Sequence, residues 1–118
     1  MHGVPENLDL SPLQGTTLTE IGIGQYQITF NFDSTSSVAV EGGWELVDSD
    51  GRVIDCSQEH ESRSAYKVHV CIGREVSNVV VNHPESVEFT FDNGYTLRVF
   101  DDSTQYECFH IEPGDIHI

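Results

Sequence analysis

The chain has 118 residues, and 20 acids against 5 bases give it a formal net charge of −15. That balance excludes a phosphate-binding surface, because nucleic-acid binders need clustered Lys and Arg to displace counterions, and it excludes docking on anionic membranes. Apolar residues at 37% and aromatics at 9% suffice for a folded core rather than a disordered tail, and the length predicts one domain over 1–118.

The N-terminus, Met1 to Leu10, carries Glu6 and Asp9 and lacks a basic segment followed by an apolar one, so it does not read as a signal peptide. No stretch approaches the roughly 18 apolar residues of a membrane span. Cys56, Cys71 and Cys108 are an odd number without an export signal and read as reduced thiols in a cytoplasmic protein. Ser11-Pro12-Leu13-Gln14-Gly15 reads as a short helical turn, with Pro near its start and Gly at its end. A strand then runs towards Ile23. In the next strand Tyr26, Ile28, Phe30 and Phe32 share one face, while Gln25, Gln27, Thr29 and Asn31 share the other. Asp33 to Ser37 reads as a turn, and Ser37 to Glu41 as a strand. Trp44-Glu45-Leu46-Val47, the turn Asp48-Ser49-Asp50-Gly51 and Arg52 to Asp55 form a hairpin candidate.

Ser57 to Ser64 is polar and without periodicity. Ser64 to Gly73 admits two readings. A helix buries Ala65, Val68 and Ile72, whereas a strand puts Tyr66, Val68, Val70 and Ile72 on one face. The helix is preferred, because Ser11-Pro12 opens a helical turn at the matching place near the N-terminus. Beyond it lie a strand to Val81, a strand with Val87, Phe89 and Phe91 on one face, a turn at Asp92-Asn93-Gly94 and a strand from Tyr95 to Phe100. Glu107 to Ile111 reads as a strand, and Glu112-Pro113-Gly114-Asp115 as a turn.

These elements repeat. Gly15 and Gly73, Leu18 and Val76, Ile21 and Val79, and Ile23 and Val81 all stand 58 positions apart. Ile28 to Asp33 matches Val87 to Asp92 at 59, as do Val38 with Leu97 and Val40 with Val99. A looser echo sets Trp44-Glu45 against Tyr106-Glu107 at 62. The copies span approximately 11–47 and 65–111. Two copies are too few for a solenoid. The expected fold is mainly β or α+β: two related antiparallel units with one helix, sandwich-like or as a single curved sheet.

Six His and three Cys invite a search for metal sites. Cys108, His110 and His117 are the nearest to a set, but no CxxC, HxxxH or HExxH spacing occurs. Asp48-Ser49-Asp50-Gly51 opens like a calcium loop, yet its Gly comes too early and Arg52 takes a ligand position. Cys71 near His69 and Cys108 near His110 lack a nucleophile elbow or an electropositive setting. Asp101-Asp102 reads as solvated charge rather than an acid–base pair. Gly22-Ile23-Gly24 lacks the third Gly of a phosphate loop. No cofactor, metal or catalytic residue is therefore expected.

The charge carries more information. Glu41, Glu45, Asp48, Asp50, Asp55, Glu59 and Glu61 face one base, Arg52, and Asp101 and Asp102 form a second group. Such an excess exceeds what solubility needs and suits the steering of a basic protein partner.

The paired Gly-x-x-[Val/Leu] strands, the Phe89-x-Phe91-Asp92-Asn93-Gly94 hairpin with Leu97 after it, and the ending Asp101-Asp102-Ser103-x-Gln105-Tyr106-Glu107 resemble a set of small uncharacterised bacterial proteins. In size and acidity the chain is also similar to immunity proteins of toxin–immunity systems, including contact-dependent growth inhibition. The resemblance implies no catalytic residues. It implies a non-enzymatic inhibitor of a basic toxin domain such as a nuclease. A monomer or weak dimer is expected, and clustering marks the nine acids above for the contact. The alternatives are a structural or subunit-type protein, and a small-molecule or metal-binding module.

Overall fold

The strands follow from period-two alternation. Ile28, Phe30 and Phe32 are buried while Thr29 and Asn31 between them are half-exposed, and Val87, Phe89 and Phe91 repeat the pattern around Glu88 and Thr90. The structure is a computed structural model that describes residues 4, 8–24, 27–33, 36–57, 67–101, 109–112 and 116–118. Its strands are β1 (Leu18–Ile23), β2 (Ile28–Phe32), β3 (Ser36–Val40), β4 (Trp44–Val47), β5 (Val53–Cys56), β6 (Val76–Asn82), β7 (Ser86–Phe91), β8 (Thr96–Phe100), β9 (Phe109–Glu112) and β10 (Ile116–His117). They form two five-stranded antiparallel sheets, ordered β1-β2-β3-β9-β10 and β5-β4-β8-β7-β6. The protein is thus mainly β and sandwich-like, with one apolar core between the sheets.

The sheets exchange hairpins. After β3, Gly42 and Gly43 lead the chain out of the first sheet, and β4 pairs with β8 of the second. In return β9 pairs with β3 of the first. Trp44 stands opposite Val99 and Phe109 opposite Val40, and Val40 and Val99 are 59 positions apart. The counterpart of Trp44 is therefore Phe109, 65 positions on, and not Tyr106. Side-chain similarity misaligned the echo, because the connection into the hairpin is longer in the second copy. Tyr106 and Glu107 themselves lie outside the described residues.

The two copies meet about a local pseudo-two-fold axis. The Gly15 N–H donates to the Val76 carbonyl at 2.8 Å, and its counterpart Gly73 N–H donates to the Leu18 carbonyl at 2.7 Å. The Leu18 and Val76 N–H groups donate in turn to Arg74 and Thr16 at 3.0 and 2.7 Å. Thr17 and Glu75 form the β-bridge at the centre of this crossing. Gly15 and Gly73 take φ of +88° and +87° with open space around a would-be Cβ, so backbone conformation, not crowding, requires glycine there. The same bulge follows in each copy, between Leu18 and Glu20 and between Val76 and Asn78.

Phe32 and its counterpart Phe91 stack beneath the crossing, with ring centroids 6.4 Å apart. Phe32 also packs on Phe89 at 6.1 Å, and Phe30 meets Trp44 edge-on at 6.2 Å, so aromatic contacts tie sheet to sheet.

Two further sequence expectations need correction. Over its described residues Ser64–Gly73 holds no long helix. Its described part holds a four-residue 3-10 turn, Val68–Cys71, while 64–66 lie outside the described residues. Three residues per turn set Val68 and Cys71 on the core side and leave Ile72 exposed, so neither the helical nor the strand pattern applies. Ser11–Leu13 forms the matching 3-10 turn in the first copy. The expected turn at Asp33 to Ser37 is shorter, because Ser36 already belongs to β3 and is buried.

Phe32→Ala and Phe91→Ala should each lower stability by about 3–5 kcal/mol in chemical denaturation. The double variant should lose less than the sum, because the two rings are each other's neighbours.

Candidate binding surface

The acids singled out in the sequence do not form one patch. Cross-strand register brings Glu45 of β4 and Glu88 of β7 to either side of Arg98 on β8, on the outer face of the second sheet. The Arg98 guanidinium reaches Glu45 at 2.5 Å and Glu88 at 3.5 Å, and all three side chains are half-buried. Asn82 of β6 also donates to Glu88. Glu45 is therefore committed to this internal ion pair.

Asp48 organises the β4–β5 turn. Its Oδ1 accepts the N–H groups of Asp50 and Arg52, each at 2.9 Å, and its Oδ2 lies 3.3 Å from the Arg52 Nε. The Arg52 backbone N–H is the main reason the Asp48 carboxyl sits below its ordinary pKa, and burial opposes the effect. Asp50 stands out from the turn, exposed, 3.6 Å from the same guanidinium.

Asp55 overturns its assignment as a surface contact. It is 3% exposed. Its Oδ2 accepts the N–H groups of Lys67 and Val68 at 2.6 and 3.0 Å, and its Oδ1 accepts that of Cys56 at 3.0 Å. It thereby holds the start of the second 3-10 turn against β5. Strand alternation places residue 55 inward, opposite Leu46, and the acid at that position satisfies backbone donors the core would otherwise strand.

Glu41 is exposed at the end of β3 and lines a hollow of about 180 Å³ with Gln27, Ala39, Phe109 and His110. That volume is below the usual range for small-molecule pockets, roughly 300–1,000 Å³. Asp101 is half-buried and donates its N–H to the Glu85 carbonyl at 2.9 Å. Glu59, Glu61 and Asp102 lie outside the described residues. Glu75, immediately before β6, and Glu85, in the turn after it, are also exposed. Ten residues separate them in the chain, so no local cluster marks them.

Of the residues considered for metal or nucleophilic chemistry, His117 pairs in register with His110 across β10 and β9, and Cys108 lies outside the described residues. Among the described residues no three His, Cys, Asp or Glu side chains converge as ligands. Cys71 is buried, and burial pushes its thiol up to about 11 against a smaller opposing hydrogen bond with Asn93. No helix among the described residues is long and apolar enough to cross a membrane. Comparison with known proteins finds no matching family model, curated protein or solved structure.

Removing the Asp55 carboxylate strands several backbone donors, so Asp55→Ala should cost about 2–4 kcal/mol. Asp55→Asn, which keeps one acceptor, should cost less, and urea denaturation ranks the two. A thiol with a pKa of about 11 is roughly 0.1% thiolate at pH 8. Cys71 should therefore resist iodoacetamide in the folded protein and react once urea unfolds it, as peptide mapping would show.

Proposed function

We propose that the protein is a non-enzymatic acidic binding protein, and that it acts as an immunity protein that neutralises a basic bacterial toxin domain. One observation carries this reading: a net charge of −15, with three of the five bases paired to acids of the same chain. Arg52, Arg74 and Arg98 each pair with acids of their own fold, Arg74 with Asp92 at 3.8 Å. The field projected outward is anionic. A cationic nucleic-acid groove would be drawn to it, and occupation of that groove would exclude the toxin's own polyanionic substrate.

Exposed acids suited to the contact include Glu41, Asp50, Glu75 and Glu85. Rim charges of this kind set the rate of encounter, while buried aromatic or arginine anchors of the partner set the lifetime of the complex.

Co-expression with the toxic product of a neighbouring gene should restore growth, and the purified pair should associate directly. Raising salt from about 50 to about 500 mM shortens the screening length from about 14 to about 4 Å and should slow association at least about tenfold. Glu41→Lys with Asp50→Lys should slow it further while changing stability by only about 0.5 kcal/mol each, since both side chains are exposed. Growth that is equally poor with and without the protein would end the immunity reading.

A further inference from the structure

We propose that the outer edge of β6 is a strand-addition site, and that it takes an extended segment of the partner with an apolar centre and basic ends. The inference rests on the reading of a basic partner and adds where that partner is held.

Two sheets present four edges, and three of them are blunted. β10 has two residues. β5 has four, and its pairing with β4 is irregular. β1 carries the exposed Glu20 and a glycine, Gly22. β6 is different. Its seven residues, Val76-Ser77-Asn78-Val79-Val80-Val81-Asn82, contain no charge, proline or glycine. After the bulge its register with β7 runs unbroken from Asn78 to Asn82. Edge strands without charge, proline or distortion are those that recruit a further strand.

The ladder along this edge is already begun. Val76 uses its outward carbonyl and N–H on Gly15 and Thr16 of the other copy. Beyond that point no described strand pairs with β6 on this side. Ser77, Asn78, Val80 and Asn82 are exposed, Val80 at 38%. An added strand would extend the backbone ladder and lay apolar side chains beside Val80 on the outer face, the general mode of β-augmentation.

Charge selects the occupant. Glu75 stands immediately before β6 and Glu85 in the turn after it, and both are exposed. A second copy paired antiparallel on this edge would set Glu75 of each chain towards the turn that carries Glu85 of the other, with −15 on both molecules. A strand with Lys or Arg at each end meets both acids. The regular part of β6, five residues at about 3.4 Å each, spans about 17 Å, which matches a segment of about seven residues with its charges at the ends.

The probe is the blocked peptide KVTVTVK, titrated into the full chain and followed by backbone amide shifts. Shifts confined to residues 76–82 are expected. EVTVTVE should bind at least about tenfold more weakly through charge, and KVTPTVK should lose binding through its missing N–H. Val80→Lys, which places a charge in mid-edge, should weaken KVTVTVK binding by a similar factor with the thermal midpoint held within a few degrees. The proposal is overturned by unmoved β6 amides, by equal binding of the proline peptide, by Val80→Lys binding as wild type does, or by a peptide-free dimer formed through β6. If a basic toxin binds Val80→Lys and wild type alike, the edge fails and the acidic reading stands. If the peptide adds to β6 while toxin association ignores salt, the edge stands and the acidic reading fails.

Discussion

Everything in this fold hangs on the crossing of the two copies. Four backbone hydrogen bonds among Gly15, Thr16, Leu18, Gly73, Arg74 and Val76 lock the starts of β1 and β6 together. The Phe32–Phe91 stack fills the space beneath them. Buried backbone groups must find partners, and here each copy supplies the partners the other lacks. The two positive-φ glycines are required at the same point, because only that turn presents the N–H of residues 15 and 73 across the axis.

The crossing also decides which surfaces face outward. β1 and β6 pair only at their starts, which leaves the rest of each as a sheet edge. The hairpin exchange splits the acid-rich span in the middle of the chain. Glu41 remains with the first sheet, while Glu45, Asp48, Asp50 and Asp55 pass into the second. Sequence proximity thus becomes dispersal, and the acids take up unlike duties: an ion pair at Glu45, a turn scaffold at Asp48 and a buried backbone acceptor at Asp55.

This explains what could be read from the sequence. Alternation in Ile28–Phe32 and Val87–Phe91 is a local property with a single structural meaning, and the Phe positions followed from it. The offset of 58 residues marks positions that the symmetry uses in the same way, such as Gly15 and Gly73. Segment 68–72 was misread because Val68 and Cys71 are too few to distinguish a three-residue period from a longer helix. Asp55 was misread because its acceptors' partners, Lys67 and Val68, come from a segment twelve residues away. The strand exchange left no mark in the sequence, since β4 has the same alternation whichever sheet receives it. The bracketing of β6 by Glu75 and Glu85 emerges only when the strand is known to be an edge.

The hairpin exchange has a consequence for how the chain reaches this state. A half on its own has three neighbouring strands and an open flank, and only the distant half carries the strands that close it. The pairings that close each sheet, β3 with β9 and β4 with β8, therefore join residues far apart in sequence, the condition under which β proteins fold slowly and the ordering entropy is spent before its return arrives. Neither half has a complete sheet to retain if the other loosens. Opening should spread through both sheets together, so amides of β3 and β8, each sandwiched between a native and an exchanged neighbour, would share one protection against hydrogen exchange. Two similar copies thus form one cooperative unit rather than two independent beads.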